Sequence, residues 1–261
     1  MIRQERLASV GQLTKGIVDR ILNPLNYVTN FSQSSDEMIG EVVSILEKQQ
    51  DVLSADTLDD LLDELNELKK NSQKIQEHSN STTRILKDMQ KLLKEKSREF
   101  VETDLNSFLD TKSRGALQEL KSEYKEFTVN LVLDLTPQPV RMRLLPFEFG
   151  QVVQNIMSNA YYTLFEKSKT APNFTPEIRI STEQADGQVV VRIRDNGKGI
   201  PQREAAKLFS PFFTTKPTSK GTGLGLFMTK DIVETHKGKI AIDSQEGEFT
   251  LITITLPTTA S

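Results

Sequence analysis

The chain has 261 residues, enough for two modest domains with a core each, and its 33 basic against 36 acidic side chains leave a formal net charge of −3. That balance offers no basic excess for nucleic acid or a membrane surface, and the absence of cysteine excludes disulfides, thiolate metal sites and cysteine nucleophiles while fitting a reducing compartment. No apolar run approaches the roughly 18 residues of a membrane span, and Met1 to Leu7 lacks the apolar region of a signal peptide, so the chain is expected to be soluble.

From Leu7 the positions Leu7, Val10, Thr14, Ile17, Ile21, Pro24, Val28 and Phe31 step by threes and fours, and the pattern resumes through Met38, Val42, Ile45 and Leu46. This spacing predicts one long bundle helix, kinked near Ile21 because Pro24 removes a backbone hydrogen bond. No capping residue precedes the helix, as though it continued from an upstream segment of a longer protein. Asp56 is a candidate N-cap for a second helix starting near Thr57. Its stripe runs through Leu61, Leu65, Leu68, Ser72, Ile75, Ser79, Thr82, Leu86, Met89 and Leu93. A helix of about 40 residues spans roughly 60 Å and cannot bury such a stripe in a single hairpin. Two hairpins forming a four-helix bundle, and therefore a homodimer, are the economical solution.

After Arg98 the pattern changes, which divides the chain into 1–98 and 99–261. Thr128 to Asp134 alternates as a strand, and Pro146 to Leu164 has helical spacing. Two further strands, Glu177 to Thr182 and Gln188 to Arg194, join through Asp186 and Gly187. Gly223 to His236 is a helix, followed by strands Lys239 to Ser244 and Phe249 to Leu256. Strands and helices that do not alternate strictly predict an α+β sandwich with an antiparallel or mixed sheet.

Four segments of the second part carry candidate chemistry. In Gln151-Val-Val-Gln-Asn155-Ile-Met-Ser-Asn159-Ala160 two asparagines four apart share a helix face, and amide oxygens suit a hydrated magnesium that also holds phosphate; alone, such a pair is commonly solvated or capping. Asp195-Asn-Gly197-Lys-Gly199-Ile200 follows a strand; a carboxylate there can accept an exocyclic amine and the glycines admit a base, although an ordinary Asn-Gly turn reads the same way. Phe209-Ser-Pro-Phe212-Phe213-Thr-Thr-Lys216 has the look of a loop anchor. Gly221-Thr222-Gly223-Leu224-Gly225-Leu226 opens a helix and can offer N–H groups to phosphates.

In order and spacing these segments resemble the N, G1, F and G2 boxes of the histidine-kinase ATPase domain of the GHKL superfamily, which implies a Bergerat-type α/β sandwich that binds ATP with Mg2+. By that resemblance Asn159 holds the metal with Asn155 in support, and Asp195 reads adenine beside Gly197, Gly199 and Ile200. Phe213 belongs to the F box, and Gly221, Thr222, Gly223, Leu224 and Gly225 meet the phosphates. Residues between Pro201 and Lys220 would be a lid, with Lys216 and Lys220 near the phosphates, although for each lysine taken alone a solvated surface charge is the better reading.

The first helix, with Gly16-Ile-Val-Asp19-Arg20-Ile-Leu-Asn23-Pro24-Leu25, resembles the dimerisation and phosphotransfer helix of two-component sensor histidine kinases, where the middle reads roughly Gly-Ile-Ala-His-Glu-Ile-x-Asn-Pro-Leu. Asp19 stands at the phosphoacceptor position and Arg20 at the adjacent acid. Asp19 lies about 200° around the helix from Ile17, hence on the solvent side, and is read as a solvated aspartate because Arg20 alone does not supply the magnesium and lysine that an acyl phosphate needs. His78 and His236 are read as a bundle-flank side chain and a structural side chain that favours a helix C-terminus when charged.

The resemblance implies the cytoplasmic core of a larger sensor kinase, of a kind that includes membrane-anchored proteins, partnered by a response regulator or receiver domain and by a second copy of itself, with no nucleic-acid ligand and no direct membrane contact. It would act as a pseudokinase or phosphorylate a histidine elsewhere. A GHKL-type ATPase is the alternative enzyme, although that branch places a glutamate base where Asn155 stands; a non-enzymatic dimeric scaffold is the other.

Overall fold

The structure, a computed structural model, describes Ile21 and residues 25–46, 55–93, 99–124, 127–217 and 221–258. Met1 to Arg20, with Asp19 and Arg20, and Pro24 with its expected kink lie outside the described residues. The chain divides into two units, one formed by Met1–Glu95 with Thr214–Thr222, the other by Lys96–Phe213 with Gly223–Ser261.

In the first unit, helix α1 (residues 25–46) and helix α2 (Ala55–Leu93) form an antiparallel hairpin. Helix α2 is helical already from Ala55, which places Asp56 in its first turn instead of at its cap. The helices approach closely through small hydroxyl side chains. Ser32 and Ser72 each donate to the other's backbone carbonyl, and Ser79 Oγ donates to Leu25 O at 2.9 Å while meeting Thr29 Oγ1 at 2.6 Å. Buried hydroxyls are satisfied in this way at no loss of packing. Leu58 and Leu86 of α2 are buried, but many of the larger apolar residues face outward. Phe31, Met38 and Ile45 on α1, and Leu61, Leu68 and Ile75 on α2, each spaced by seven, are all exposed, Phe31 by 70% and Met38 by 60%.

The second unit is a two-layer sandwich. A mixed sheet has the strand order β2 (Asn130–Asp134), β4 (Glu177–Ala185), β5 (Gln188–Asp195), β7 (Phe249–Pro257), β6 (Lys239–Gln245), with β2 parallel to β4 and the rest antiparallel. Alternate residues of its inner face, among them Ile178, Ile180, Val189, Val191, Ile193, Ile252, Ile254 and Leu256, are buried against α3 (Leu105–Glu123), α4 (Pro146–Ser168) and α6 (Gly225–Thr235). The β4–β5 hairpin closes through Asp186 and Gly187, with φ of 51° and 71°, the left-handed pair a two-residue hairpin turn requires.

Elements with no counterpart in the sequence reading include α3 and the short pair β1 (Val101–Asp104) and β3 (Arg141–Leu144), which form a separate antiparallel ribbon. Helix α3 is capped by Asp104, whose carboxylate accepts from Asn106 N at 3.2 Å and Ser107 Oγ at 2.7 Å. A single turn, α5 (Gln202–Ala205), follows the β5 loop. No helix among the described residues is long and apolar enough to cross a membrane.

Candidate functional site

Asp195 is the last residue of β5, an inner-face position whose alternation with Val189, Val191 and Ile193 carries its side chain inward. It is 5% exposed. Burial pushes its carboxyl up from the ordinary 3.8 to about 6; hydrogen bonds from the Gly197 N–H and the Thr163 hydroxyl, with the charges of Arg194 and Lys167, act the other way but do not compensate. Gly197 N donates to Oδ1 at 2.9 Å and Thr163 Oγ1 lies 3.3 Å from the same oxygen.

The loop after Asp195 is held tightly. Asn196 accepts from Glu177 N at 2.9 Å and donates to Thr175 O at 2.9 Å. A Cβ on Gly197 would stand 2.5 Å from Thr163 Oγ1, and one on Gly199, with φ +62°, would stand 2.0 Å from Gln245 O, so neither position accepts a side chain. Ile200 N donates to Ser244 Oγ at 2.9 Å, which fixes the end of the loop on β6.

Helix α4 supplies the facing wall. Asn155, Asn159, Thr163 and Lys167 recur every four residues and so occupy one stripe, about 6 Å apart along the axis. Asn155 Nδ2 donates to Gly225 O at 3.0 Å and reaches Thr229 Oγ1 at 3.4 Å, clasping the first turn of α6. Asn159 follows one turn later. Lys167 Nζ donates to Asn196 O, Gly197 O and Gly247 O at 2.7, 3.0 and 2.9 Å, tying the Asp195 loop to the β6–β7 turn. Helix α6 begins at Gly225 after Leu224, an N-cap residue whose apolar side chain makes no cap hydrogen bond.

Asn155, Asn159, Asp195, Gly197, Gly199, Ile200, Gly223, Leu224 and Gly225 all lie in the second unit, where Asn155 meets Gly225 and the Asp195 loop meets Thr163 and Lys167 of the same helix. Phe213 is half-buried, after Phe212, which is exposed and has a φ of +65° uncommon for a bulky residue. Lys216, Gly221 and Thr222 fall in the stretch Thr214–Thr222 that clusters with the helical unit, and Lys220 lies outside the described residues. Thr163, Lys167 and Ser244 were missed by sequence reasoning. For the first two a signal existed, since they continue the four-residue spacing of Asn155 and Asn159; for Ser244 there was none.

His236 is structural, as its sequence reading has it, though as a neutral ring and not as a charge. It is 6% exposed, Nε2 accepts from Leu145 N at 3.0 Å, and Nδ1 donates to Ile232 O at 2.7 Å, between the rings of Phe100 and Phe149. Burial lowers its pKa, so it serves the C-terminus of α6 as a neutral ring bonded to a carbonyl and not as a charge. His78 is exposed on α2.

The site thus joins, in a two-layer sandwich, a buried carboxylate at a strand end, a glycine loop pressed against a hairpin turn and an amide-bearing helix braced on the start of another helix. Residues 146–260 match the family of histidine kinase-, DNA gyrase B- and HSP90-like ATPases. Over nearly its whole length the chain is similar to the signal transduction histidine-protein kinase AtoS of Escherichia coli K12, 29% identical over 264 residues that cover 98% of this chain and 36% of AtoS. The catalytic domain of the histidine kinase ThkA matches 62% of this chain and 97% of its own at 28% identity and a TM-score of 0.51. Full-length ShkA, solved in complex with AMPPNP, covers 96% of this chain and 47% of its own at 16% identity and a TM-score of 0.58, a likeness of fold. Residues 146–260 thus carry an ATPase domain of that family, and the chain as a whole is similar to two-component sensor histidine kinases, spanning about a third of the length of AtoS.

Proposed function

We propose that this chain is the cytoplasmic signalling core of a sensor histidine kinase: a homodimer through α1 and α2, whose second unit binds Mg-ATP, which works with a response regulator or receiver domain, and whose usual acceptor position, occupied by Asp19 beside Arg20, takes no phosphate. The observation that carries the nucleotide reading is Asp195. A carboxylate 5% exposed and deprived of a full ion pair is costly to keep, and a ligand amine that donates to it offsets that cost. Gly197, Gly199 and Ile200 line the base, and Asn159 holds Mg2+ with Asn155 bracing the helix start. Gly223, Leu224 and Gly225 face the phosphates, and the resemblance alone assigns Lys216, Lys220, Gly221 and Thr222 to the same role.

The donor set fits this metal. Among the described residues no cluster of three His, Cys, Asp or Glu exists to cage an ion, whereas an amide oxygen suits magnesium that arrives with phosphate oxygens and water. Bound magnesium would neutralise charge on the phosphates; the protein's part is to orient the nucleotide with donors and acceptors already held in place.

Two observations favour this over the alternatives. Asn155 stands where a hydrolytic ATPase needs a carboxylate base, and its amide nitrogen is engaged by Gly225 O, so it takes no proton from water. The two exposed heptad seams, Phe31–Met38–Ile45 and Leu61–Leu68–Ile75, are the surface a second hairpin covers. Calorimetry with ATP, with and without magnesium, tests the proposal. Binding strengthened by magnesium, with that benefit lost in Asn159→Ala, is expected; no binding by the full chain at millimolar ATP overturns it.

A further inference from the structure

We propose that Thr163 is the residue that sets this site's preference for an amino-purine over an oxo-purine, by fixing which oxygen of Asp195 faces the base; this rests on the reading of Asp195 as the base-recognising group. Both hydrogen bonds described for the carboxylate fall on Oδ1, from Gly197 N at 2.9 Å and Thr163 Oγ1 at 3.3 Å. With Oδ1 occupied by protein donors, Oδ2 is the oxygen left to read a ligand. Thr163 is also a wall of the subsite, since a Cβ on Gly197 would stand 2.5 Å from its hydroxyl and 2.9 Å from its Cβ. The hydroxyl has one proton and shares it between Ala160 O at 2.9 Å and Asp195. It can therefore donate to the carboxylate or, turned to the helix carbonyl, accept from the carboxyl.

The consequence is chemical. Ionised Asp195 accepts from a 6-amino group and repels a 6-oxo group; protonated Asp195 can donate to the oxo group and loses its advantage for the amine. The side chain that favours ionisation therefore favours adenine. Around the carboxylate, the charged groups are Arg194 on its own strand and Lys167 on α4, while the neighbouring strands place Ile178 of β4 and Thr250 of β7 opposite it. Both cations and the Thr163 hydrogen bond pull against burial. Thr163 is the neutral member of that set, removable without changing charge.

The test measures Mg-ATP and Mg-inosine triphosphate binding to the full chain and to Thr163→Val and Thr163→Ser between pH 5 and 8.5. The wild type is expected to prefer ATP increasingly as pH rises through about 6, the value to which Asp195 is raised. Thr163→Val is expected to lose roughly three- to tenfold of that preference at pH 7, the effect of one modest hydrogen bond to a charged acceptor. The rise in preference should also move to higher pH. Thr163→Ser should restore both. Equal weakening of both nucleotides in Thr163→Val with an unmoved pH profile assigns Thr163 a purely structural role and overturns the proposal, as does a preference unchanged from wild type. If Thr163→Val does not fold, Thr163→Ala against Thr163→Ser carries the same comparison. Failure of the wild type to bind ATP sinks the reading of Asp195 instead.

Discussion

Replacing Asp195 by asparagine is expected to make the protein more stable and unable to select ATP. The carboxyl is raised from 3.8 to about 6 by burial, a difference of about two units, and at about 1.4 kcal/mol per unit the ionised group costs the fold about 3 kcal/mol at neutral pH. The direction follows from proton counts. Between pH 3.8 and about 6 the folded chain holds a proton that the unfolded chain has released, so stability falls as pH rises through that window and stays low above it. Asparagine keeps the oxygen that accepts from Gly197 N and Thr163 Oγ1 and removes the charge. Thermal melts of wild type and Asp195→Asn at pH 7.5 should differ by several degrees in favour of the variant. The gap should shrink toward zero near pH 4, where both side chains are neutral. In parallel, ATP affinity should fall and inosine triphosphate should bind at least as well as ATP, because the new amide donates where the carboxylate accepted. A variant less stable than wild type at pH 7.5, or a gap that does not narrow on acidification, refutes the burial argument.

His236 works in the opposite sense: its lowered folded pKa means the unfolded chain takes up the proton first, so stability is full above about pH 6.5 and is lost as pH falls below it. His236→Gln should flatten that acid limb in urea titrations. Leu68→Glu combined with Met38→Glu, both on exposed heptad seams, should leave the hairpin folded and convert a dimer to a monomer in sedimentation at tens of micromolar. A wild type that is already monomeric removes the dimer from the proposal. Gly199→Ala places a Cβ 2.0 Å from Gln245 O at a positive φ and is expected to cost about 1–3 kcal/mol and most nucleotide binding; an unaltered melt would show that the loop is not held against the β6–β7 turn.

What could be read from the sequence depended on range. Helix α4 and strands β4 to β7 have unbroken apolar periods and local turns such as Asp186–Gly187, and their bounds were legible to within a few residues. Helix α3 was not, because its buried stripe of Leu105, Leu109, Ser113, Ala116 and Leu120 mixes in a serine and an alanine and carries Gly115 in its interior, which dilutes the pattern. Strands β1 and β3, of four residues each, are too short for a period, and the pairing of β2 beside β4 joins segments some 47 positions apart. Asp195 and its glycines announced themselves as a motif. Thr163 became part of the site only when the fold brought Asp195, 32 residues on, to its hydroxyl. The neutral state of His236 depends on an N–H from Leu145, 91 residues away, which no local pattern records.

The central claim, an ATP-binding kinase core without its own phosphoacceptor, is tested most directly by incubating the chain with γ-labelled ATP and magnesium, alone and with a histidine-bearing partner domain. No acid-labile label is expected on the chain itself if, as proposed, Asp19 and Arg20 stand at the acceptor and base positions, because positioning cannot substitute for a missing nucleophile. The double change Asp19→His with Arg20→Glu is expected to restore labelling, and Asp19→His alone to restore less. Label on the unmodified chain that maps to the exposed His78, or to His236 despite its burial, would contradict the account.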